Sequence, residues 1–300
     1  MHRTLLIVCI SFFQIIVAFC QEKPELSDST GYNLLQDVGK YAVNELDMKI
    51  SPSFYTKWAS NENPNIFVYV SSKDSLYSPL KSSFLAFGNI TEEDAKAKST
   101  EYYKKGYDVL IYKTYGTSGT QLSHHLINYS KPSIMFIGFH EATHQHISGF
   151  VSLPYIYIEA LCDLIGTQGS LAYTKTHSIE NYEITKQFVD KVESLGKHIN
   201  DCILLAQTYD INLPKSFASL KKEISNLPTN ETFLIERYDY EINNAYLIRY
   251  ESYTKYYFKL KELLTLYNDF STFWNFIKKL PNDESKINAL IDTEIIKLKS

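Results

Sequence analysis

The sequence predicts an α+β fold in which a small antiparallel sheet precedes a predominantly helical half. Two observations support this prediction. Short runs rich in β-branched and aromatic residues, the composition typical of strands, all lie before residue 116. After residue 130 the apolar residues recur at intervals of three and four, which is the spacing of an amphipathic helix. The 300 residues show no internal repeat, so we expect one domain that contains both halves.

The first part of the chain is expected to contain the sheet and two helices. Apolar and polar residues alternate at helical spacing over residues 33–46. Thr91 can cap a second helix, since three acidic residues follow it at the positive helix end and Gly106 stops the helix. The predicted strands are residues 66–70, 84–87 and 107–112. A polar loop over residues 116–123 ends this part of the chain.

The second part is expected to be helical throughout. Pro132 precedes an apolar helix over residues 133–147, and a second helix covers residues 155–173 after a turn at Gly149 and Pro154. Prolines separate most of the remaining helices, which are predicted at residues 179–208, 214–225, 231–268, 270–280 and 284–298.

The N-terminal segment predicts export. Arg3 precedes an apolar run from Leu5 to Ala18, too short for a comfortable membrane span, and a cleavage-like Ala18-Phe19-Cys20 follows. The bulky Phe19 favours simple cleavage over lipid attachment to Cys20, and an uncleaved anchor is the third alternative. We therefore expect a periplasmic, cell-envelope or secreted protein. The alternative is attachment to a membrane through Cys20 or through an uncleaved signal.

These features divide the chain into three parts. Residues 1–20 form the signal segment, and residues 21–38 form a flexible leader that includes a helix start. Residues 39–300 form a single domain, in which residues 39–178 supply the sheet and active-site helices and residues 179–300 supply the helical half. Cys162 and Cys202 can pair in an exported protein, or they can be two buried thiols.

The composition excludes two broad classes of protein. An apolar fraction of 44% with 21% charged residues is that of a globular chain and argues against disorder. A net charge of −4 gives no positive field that would attract nucleic acid. We therefore expect a folded protein that does not bind nucleic acid.

One pentapeptide, His140-Glu141-Ala142-Thr143-His144, predicts a metal site. Residues four apart share a helix face, so the two imidazoles can bind one metal ion. Glu141 can then act as general base toward a water molecule that a zinc ion acidifies. By residue frequencies this spacing arises by chance in roughly 1% of such chains. The apolar residues before His140 favour a buried helix, where unpartnered histidine and glutamate would be costly.

A catalytic zinc site needs a third protein ligand and a residue that orients the ligands. Glu159, on the following helix, fits the ligand role. Asp163 lies one turn further and can accept the remaining N–H of a ligating histidine. His146 falls on another face of its helix than His140, and we expect it on the surface or in a loop.

Several segments together resemble the bacterial predicted aminopeptidase family, a gluzincin-like group of zinc peptidases. Residues 139–145 (FHEATHQ) are similar to the family's F-H-E-L-A-H-Q, and residues 159–171 resemble its third-ligand helix. Residues 243–247 (NNAYL), followed by Tyr253, are similar to its N-N-A-x-L element with a later tyrosine. The likeness runs from about residue 40 to 280. Two departures concern the substrate pocket, because residues 115–120 keep little of the family segment and Ile158 replaces an asparagine.

The resemblance implies a zincin-like catalytic domain that hydrolyses peptides. It implies zinc held by His140, His144 and Glu159, with Glu141 as the base, and it implies an exported or envelope location. It also places Tyr253 where a donor to the reaction's oxyanion is needed, although packing in the core explains this tyrosine equally well.

Two further residues are candidates for substrate contact. Asn244 can contact the substrate backbone, and Tyr115 ends a strand whose edge can pair with an extended peptide. An exopeptidase that removes N-terminal residues also needs an acid to hold the α-amine, for which Glu183 and Asp190 are available. The sequence leaves exopeptidase and endopeptidase action open.

Two alternatives to a peptidase remain. The first is an exported zinc-binding envelope protein without peptidase activity. Glu141 argues against it, because a purely structural zinc site needs no base between its ligands. The second is a tail-anchored or lipid-linked interaction module built on the helical half.

Overall fold

The computed structural model describes residues 28–56, 64–80, 86–88, 90–115, 123–149, 152–177 and 179–300. Within them the predicted α+β class is confirmed: most residues are helical, and three strands form one antiparallel sheet. The predicted signal segment, Cys20 and the loop at residues 116–122 lie outside the described residues. None of the helices within the described ranges combines the length and the apolar character needed to cross a lipid bilayer.

The helices and strands follow one another in this order: α1 (Asp28–Asn44), α2 (Pro52–Thr56), β1 (Asn65–Ser72), β2 (Ala86–Phe87), α3 (Glu92–Lys104), β3 (Tyr107–Thr114), a 3₁₀ helix (His124–Asn128), α4 (Lys131–Ser148), α5 (Tyr155–His177), α6 (Ile179–Thr208), α7 (Leu213–Ser225), α8 (Thr232–Tyr238), α9 (Asn244–Thr254), α10 (Tyr257–Tyr267), α11 (Phe270–Ile277) and α12 (Glu284–Lys299).

The sheet has the order β2-β1-β3, with β1 antiparallel to both neighbours. Alternate residues of β1 point to opposite faces. Val68 and its neighbours two positions away pack with Ala95 of α3 in a small apolar cluster. Tyr69 and Tyr112 belong instead to the main core, shared with the helical half. The sheet therefore presents one face to α3 and the other to the helices that carry the predicted site.

Helix α1 corrects the predicted division of the chain. It begins at Asp28, and Leu35 and Val38 are fully or almost fully buried. Gly138 of α4 makes this packing possible, because a Cβ at that position would lie 3.1 Å from a Val38 methyl carbon. The described residues before 39 are thus part of the folded domain, and the predicted boundary at residue 39 falls inside a helix.

Helices α4 and α5 form the centre of the molecule. The Ser130 side chain accepts a hydrogen bond from the Ser133 N–H and so begins α4, after which nearly every residue to Thr143 is buried. Gly166 lets α5 lie directly on α4, since a Cβ there would lie 2.9 Å from the Phe136 ring. This close packing fixes the residues of α5 against those of α4.

The predicted helix over residues 231–268 is wrong in one respect, because the structure divides it into α8, α9 and α10. Asn243 has an extended backbone and accepts a hydrogen bond from the Tyr246 N–H, so it starts a new helix. Asn243 also donates to the carbonyl of Val109, and the Asn244 N–H donates to Asp108, both on β3. These contacts tie the first turn of α9 to the sheet and direct the rest of α9 over α5.

Candidate metal centre

His140 and His144 of α4 converge as residues four apart on one helix face. Their Nε2 atoms lie 3.2 Å apart, and both side chains are nearly buried. Two imidazole nitrogens at this distance either share a proton or share a cation, because two lone pairs facing each other are repulsive.

Glu159 of α5 completes this group. Its carboxylate oxygens lie 3.6 Å from His140 Nε2 and 3.7 Å from His144 Nε2. Burial would raise the pKa of Glu159, but His144, His140 and Arg249 together hold it below its usual value. The carboxylate is therefore negatively charged and lies close to the Nε2 atoms of both histidines.

Cys162, one turn beyond Glu159, offers a second possible third ligand. Its Sγ lies within 4.8 Å of ligand atoms of both histidines, and these three side chains form a group that could hold a metal ion. The oxygens of Glu159 lie 3.6 and 3.7 Å from the Nε2 atoms of the two histidines. Burial, followed by the nearby carboxylates, raises the pKa of the Cys162 thiol well above its usual value, which favours the neutral thiol. Of the two candidates, Glu159 is therefore the charged one.

Asp163 fixes the orientation of His140. Its Oδ1 lies 2.9 Å from His140 Nδ1 and its Oδ2 lies 2.5 Å from Arg237 Nη2. A carboxylate only accepts hydrogen bonds, so His140 donates from Nδ1, and in the neutral ring the lone pair is then on Nε2. Burial would raise the pKa of Asp163, but Arg237 and His140 lower it below its usual value. The buried chain Arg237–Asp163–His140 thus sets the histidine tautomer that metal binding requires.

His140, His144 and Glu159 line a cleft of about 640 Å³ between the sheet and the helices. Glu141, His144 and Glu159 line it on one side, and Arg249 and Tyr253 of α9 line it on the other. The end of the cleft toward the 3₁₀ helix is mostly apolar, with Leu126, Tyr129, Phe136, Ile137 and Phe233. A substrate side chain and a reacting bond can therefore lie in the same cavity.

Tyr253 contacts both sides of the centre. Its ring stacks on that of His140 with centroids 6.3 Å apart, and its hydroxyl oxygen accepts a hydrogen bond of 2.5 Å from Arg249 Nη2. Burial raises the pKa of Tyr253 well above its usual value; Arg249 opposes this effect and Glu159 adds to it. The hydroxyl therefore keeps its own proton, which it can donate.

Three sequence predictions have different outcomes in the structure. Tyr115 lines the cleft and stacks on His125 with ring centroids 3.9 Å apart. The amide of Asn244 donates to the carbonyls of Ser72 and Lys73 and lies outside the cleft, so its observed role is to hold α9 against the sheet. The prediction of two buried thiols is confirmed, because Cys162 and Cys202 are both buried and unpaired.

The prediction for His146 is wrong, because this residue is 1% exposed. Its Nδ1 accepts a hydrogen bond of 2.7 Å from the Lys49 N–H, and its ring packs edge-on against Trp274. The helix does turn His146 away from His140, but that second face is covered by the C-terminal helices rather than by water. Burial lowers the pKa of His146 to about 4.

Four residues of the centre were not expected from the sequence: Tyr155, Cys162, Arg237 and Arg249. Tyr155 lines the cleft and hydrogen-bonds Glu159, and burial raises its pKa well above the usual value. Composition contained a signal for the arginines. The chain has 30 basic residues, of which only Arg3, Arg237 and Arg249 are arginine. A lysine-rich chain that keeps arginine at two internal positions uses the planar, permanently charged guanidinium there.

No protein-family profile matches this chain, and no curated protein or solved structure shows significant similarity to it. The geometry of the cleft is therefore the basis on which a function is assigned.

Proposed function

We propose that the protein is a zinc-dependent peptidase with a zincin-like active site. The observation that supports this proposal is the convergence of His140, His144 and Glu159 in a cleft that Glu141 also lines. Three protein ligands leave one position for water or substrate, which is the arrangement of catalytic rather than structural zinc sites.

The separations between ligand atoms support zinc. Bonds of about 2.0–2.2 Å to a tetrahedral zinc ion place neighbouring ligand atoms about 3.3–3.6 Å apart. The observed separations are 3.2 Å between the two Nε2 atoms, 3.6 Å from His140 Nε2 to Glu159 Oε2 and 3.7 Å from His144 Nε2 to Glu159 Oε1. Two imidazoles and a carboxylate also form a ligand set that zinc commonly accepts. The residues present therefore fit the ion without rearrangement of the helices.

In this proposal the side chains of the metal centre have separate roles in hydrolysis. A zinc ion, when bound, would supply Lewis-acid chemistry to a water molecule and to the carbonyl of a peptide bond. Glu141 takes the proton of the attacking water and passes it to the leaving amine. Tyr253 donates its hydroxyl proton in a hydrogen bond to the developing oxyanion. Asp163 and Arg237 keep His140 in the tautomer with Nε2 free.

Two finer expectations remain proposals. One is aminopeptidase action, which depends on the resemblance, and the other is export to the envelope or the medium, which depends on the N-terminal segment and on the resemblance. Glu183 and Asp190, the acids available from the sequence for holding an α-amine, are exposed on α6 and are not among the residues that line the cleft. Peptides with a free and an acetylated N-terminus, compared as substrates, test the first expectation.

Metal content and peptide cleavage, measured on the same protein, test the peptidase proposal. We expect one zinc ion per chain, cleavage of a mixed peptide library, and loss of cleavage with a chelator. Glu141→Gln should keep the zinc and lower turnover about 10²–10⁴-fold, the usual contribution of a general base. Glu183→Gln, which removes an exposed acid, is the matched control and should leave turnover unchanged.

The alternatives predict different results. A zinc-binding protein without peptidase activity would bind one zinc ion and cleave nothing in the library. If turnover is unchanged in Glu141→Gln, Glu141 is not the base. If no zinc binds at all, both zinc-based interpretations are wrong.

A further inference from the structure

Arg249 is a buried cation whose hydrogen-bonding capacity is mostly unused. The residue is 5% exposed, and only its Nη2 donates, to the hydroxyl of Tyr253. Its Nε and Nη1 have no hydrogen-bond partner. The guanidinium lies 4.2 Å from the ring centroid of Tyr253 and 4.3 Å from that of Tyr112. Contacts with these rings recover only part of the hydration free energy that a guanidinium loses when it leaves water.

No carboxylate within the described residues forms an ion pair with Arg249. The groups that act most strongly on it are tyrosines, whereas the other buried arginine, Arg237, is paired with Asp163. Burial of an unpaired charge is costly, and proteins usually compensate it with an opposite charge. The missing partner of Arg249 is therefore an anion that this part of the protein does not provide.

The charges that line the cleft leave only Arg249 for recognition of a charged ligand. The described acidic residues in the lining are Glu141 and Glu159, and the basic ones are Arg237 and Arg249. On the proposed function, Glu159 binds metal and Glu141 is the base. Arg237 is neutralised by Asp163. Among the described residues of the lining, no carboxylate remains to hold an amine, and one guanidinium remains to hold an anion.

We propose that Arg249 binds a free carboxylate of the substrate, so that the cleft accepts the carboxyl end of a peptide. This inference rests on the proposed function for the reaction and adds the substrate class to it. One edge of the guanidinium, formed by the second N–H of Nη2 together with Nε or Nη1, is free to pair with both oxygens of a carboxylate. Arg249 also lines the same cleft as His140, His144 and Glu159. A peptide held at Arg249 therefore ends close to the metal centre.

The substrate class follows from this position. The bond to be cleaved must lie within a few residues of the free carboxylate, so we expect short peptides and C-terminal segments rather than the interior of a folded protein. Tyr253 hydrogen-bonds Arg249 at one side and stacks on His140 at the other. Occupation of Arg249 by substrate would therefore also fix the position of the proposed oxyanion donor.

Binding of one peptide in two forms tests this inference independently of cleavage. The probes are N-acetyl-Ala-Phe-Phe with a free C-terminal carboxylate and the same peptide as its C-terminal amide. Calorimetry on zinc-loaded Glu141→Gln protein should show the acid binding about 10- to 100-fold more tightly, as expected for charge-assisted hydrogen bonds in a dry site. Adding Arg249→Met should remove this preference, and Arg249→Lys should retain part of it.

The matched control is Lys255→Met, which removes one positive charge from the residue that ends α9. Lys255 pairs with Glu251 and Glu284 and does not line the cleft. The preference for the acid should be unchanged in this variant. Circular dichroism shows whether each variant is folded. If Arg249→Met does not fold, binding of the acid and the amide is compared in protein that has Arg249 and in Arg249→Lys. This comparison still tests whether Arg249 binds the carboxylate.

The outcomes separate this inference from the proposed function. Equal binding of acid and amide overturns the role of Arg249, whether or not peptides are cleaved. A preference that survives Arg249→Met but is lost with a chelator also overturns it, because the metal then holds the carboxylate. A preference that depends on Arg249, in protein that cleaves no peptide, supports the anion site and contradicts the peptidase proposal.

Discussion

The two sides of the cleft handle buried charge in opposite ways. On the side of α4 and α5, Arg237, Asp163 and His140 form a continuous chain of contacts of 2.5 and 2.9 Å. On the side of α9, Arg249 is surrounded by tyrosine rings and has two nitrogen atoms without a partner. Both sides are buried to a similar degree. Burial alone therefore does not decide whether a charge is compensated.

This difference indicates which ligand each side requires. On the α4–α5 side the unused capacity consists of imidazole lone pairs and a carboxylate, all of which attract a cation. On the α9 side it consists of N–H donors on a cation, which attract an anion. The removal of a charge from water costs several kcal/mol in a protein. The cleft contains groups that lack a cation and a guanidinium that lacks an anion. Binding of a metal ion together with an anionic substrate would therefore stabilise it more than binding of either one.

The largest loss of stability is expected when one member of the paired charges is removed. Arg237→Met leaves Asp163 buried without its cationic partner, and loss of one member of a buried pair typically costs about 3–5 kcal/mol. We expect the free energy of unfolding, measured by urea denaturation, to fall by that amount.

The control for Arg237→Met is Lys186→Met, which breaks an exposed pair with Asp190 on α6. The urea midpoint of this variant should stay almost unchanged, because water solvates both partners. A small effect of Arg237→Met would mean that Asp163 is stabilised by other groups, and the contrast between the two sides would weaken.

The second prediction distinguishes the two possible third ligands. Glu159→Gln removes the charged ligand and should weaken zinc binding more than about a hundredfold, beyond the range for residues that only support a ligand. Cys162→Ser should change zinc affinity only a few-fold, because burial favours the neutral thiol whereas the Glu159 carboxylate is charged. Competition with a fluorescent chelator measures both affinities. The opposite ranking would show that the thiol is the ligand.

Asp163→Asn should have an intermediate effect. The asparagine keeps the size of the side chain but loses the charge that stabilises the His140 tautomer, so zinc affinity should fall about 10- to 100-fold. The same chelator competition measures it, with Glu183→Gln as the control that changes an exposed carboxylate to an amide. An unchanged affinity would show that His140 is held in place by packing and not by its hydrogen bond of 2.9 Å to Asp163.

Sequence reasoning located the parts of the site whose spacing is local. His140 and His144 share a face because they are four residues apart on one helix, and the same holds for Glu159 and Asp163. The structure then brings the two helices together. The small sheet and the helical half were also predictable, since each strand and most helices have their own apolar pattern.

The positions of the two buried arginines were not predictable for a physical reason. Arg237 meets Asp163 across 74 residues, and no local pattern encodes such a contact. The predicted single helix over residues 231–268 concealed the break at Asn243, because apolar spacing continues on both sides of it. That break sets the direction of α9 and so the position of Arg249. Asn244 was taken for a substrate contact for the same reason, although it holds α9 to the sheet.

The smallest change in stability is expected at Arg249, the residue with the least compensated charge. Arg249→Met replaces a buried, unpaired cation by an apolar side chain of similar length. It removes the desolvation cost and forfeits contacts with the tyrosine rings, two effects that oppose each other. We expect the free energy of unfolding to change by less than about 1 kcal/mol, or to rise, in the urea experiment used for Arg237→Met. Residues kept for binding commonly cost stability in this way. If Arg249→Met instead destabilises the protein as much as Arg237→Met, the folded chain itself supplies an anion to Arg249, and no substrate carboxylate is needed to explain this arginine.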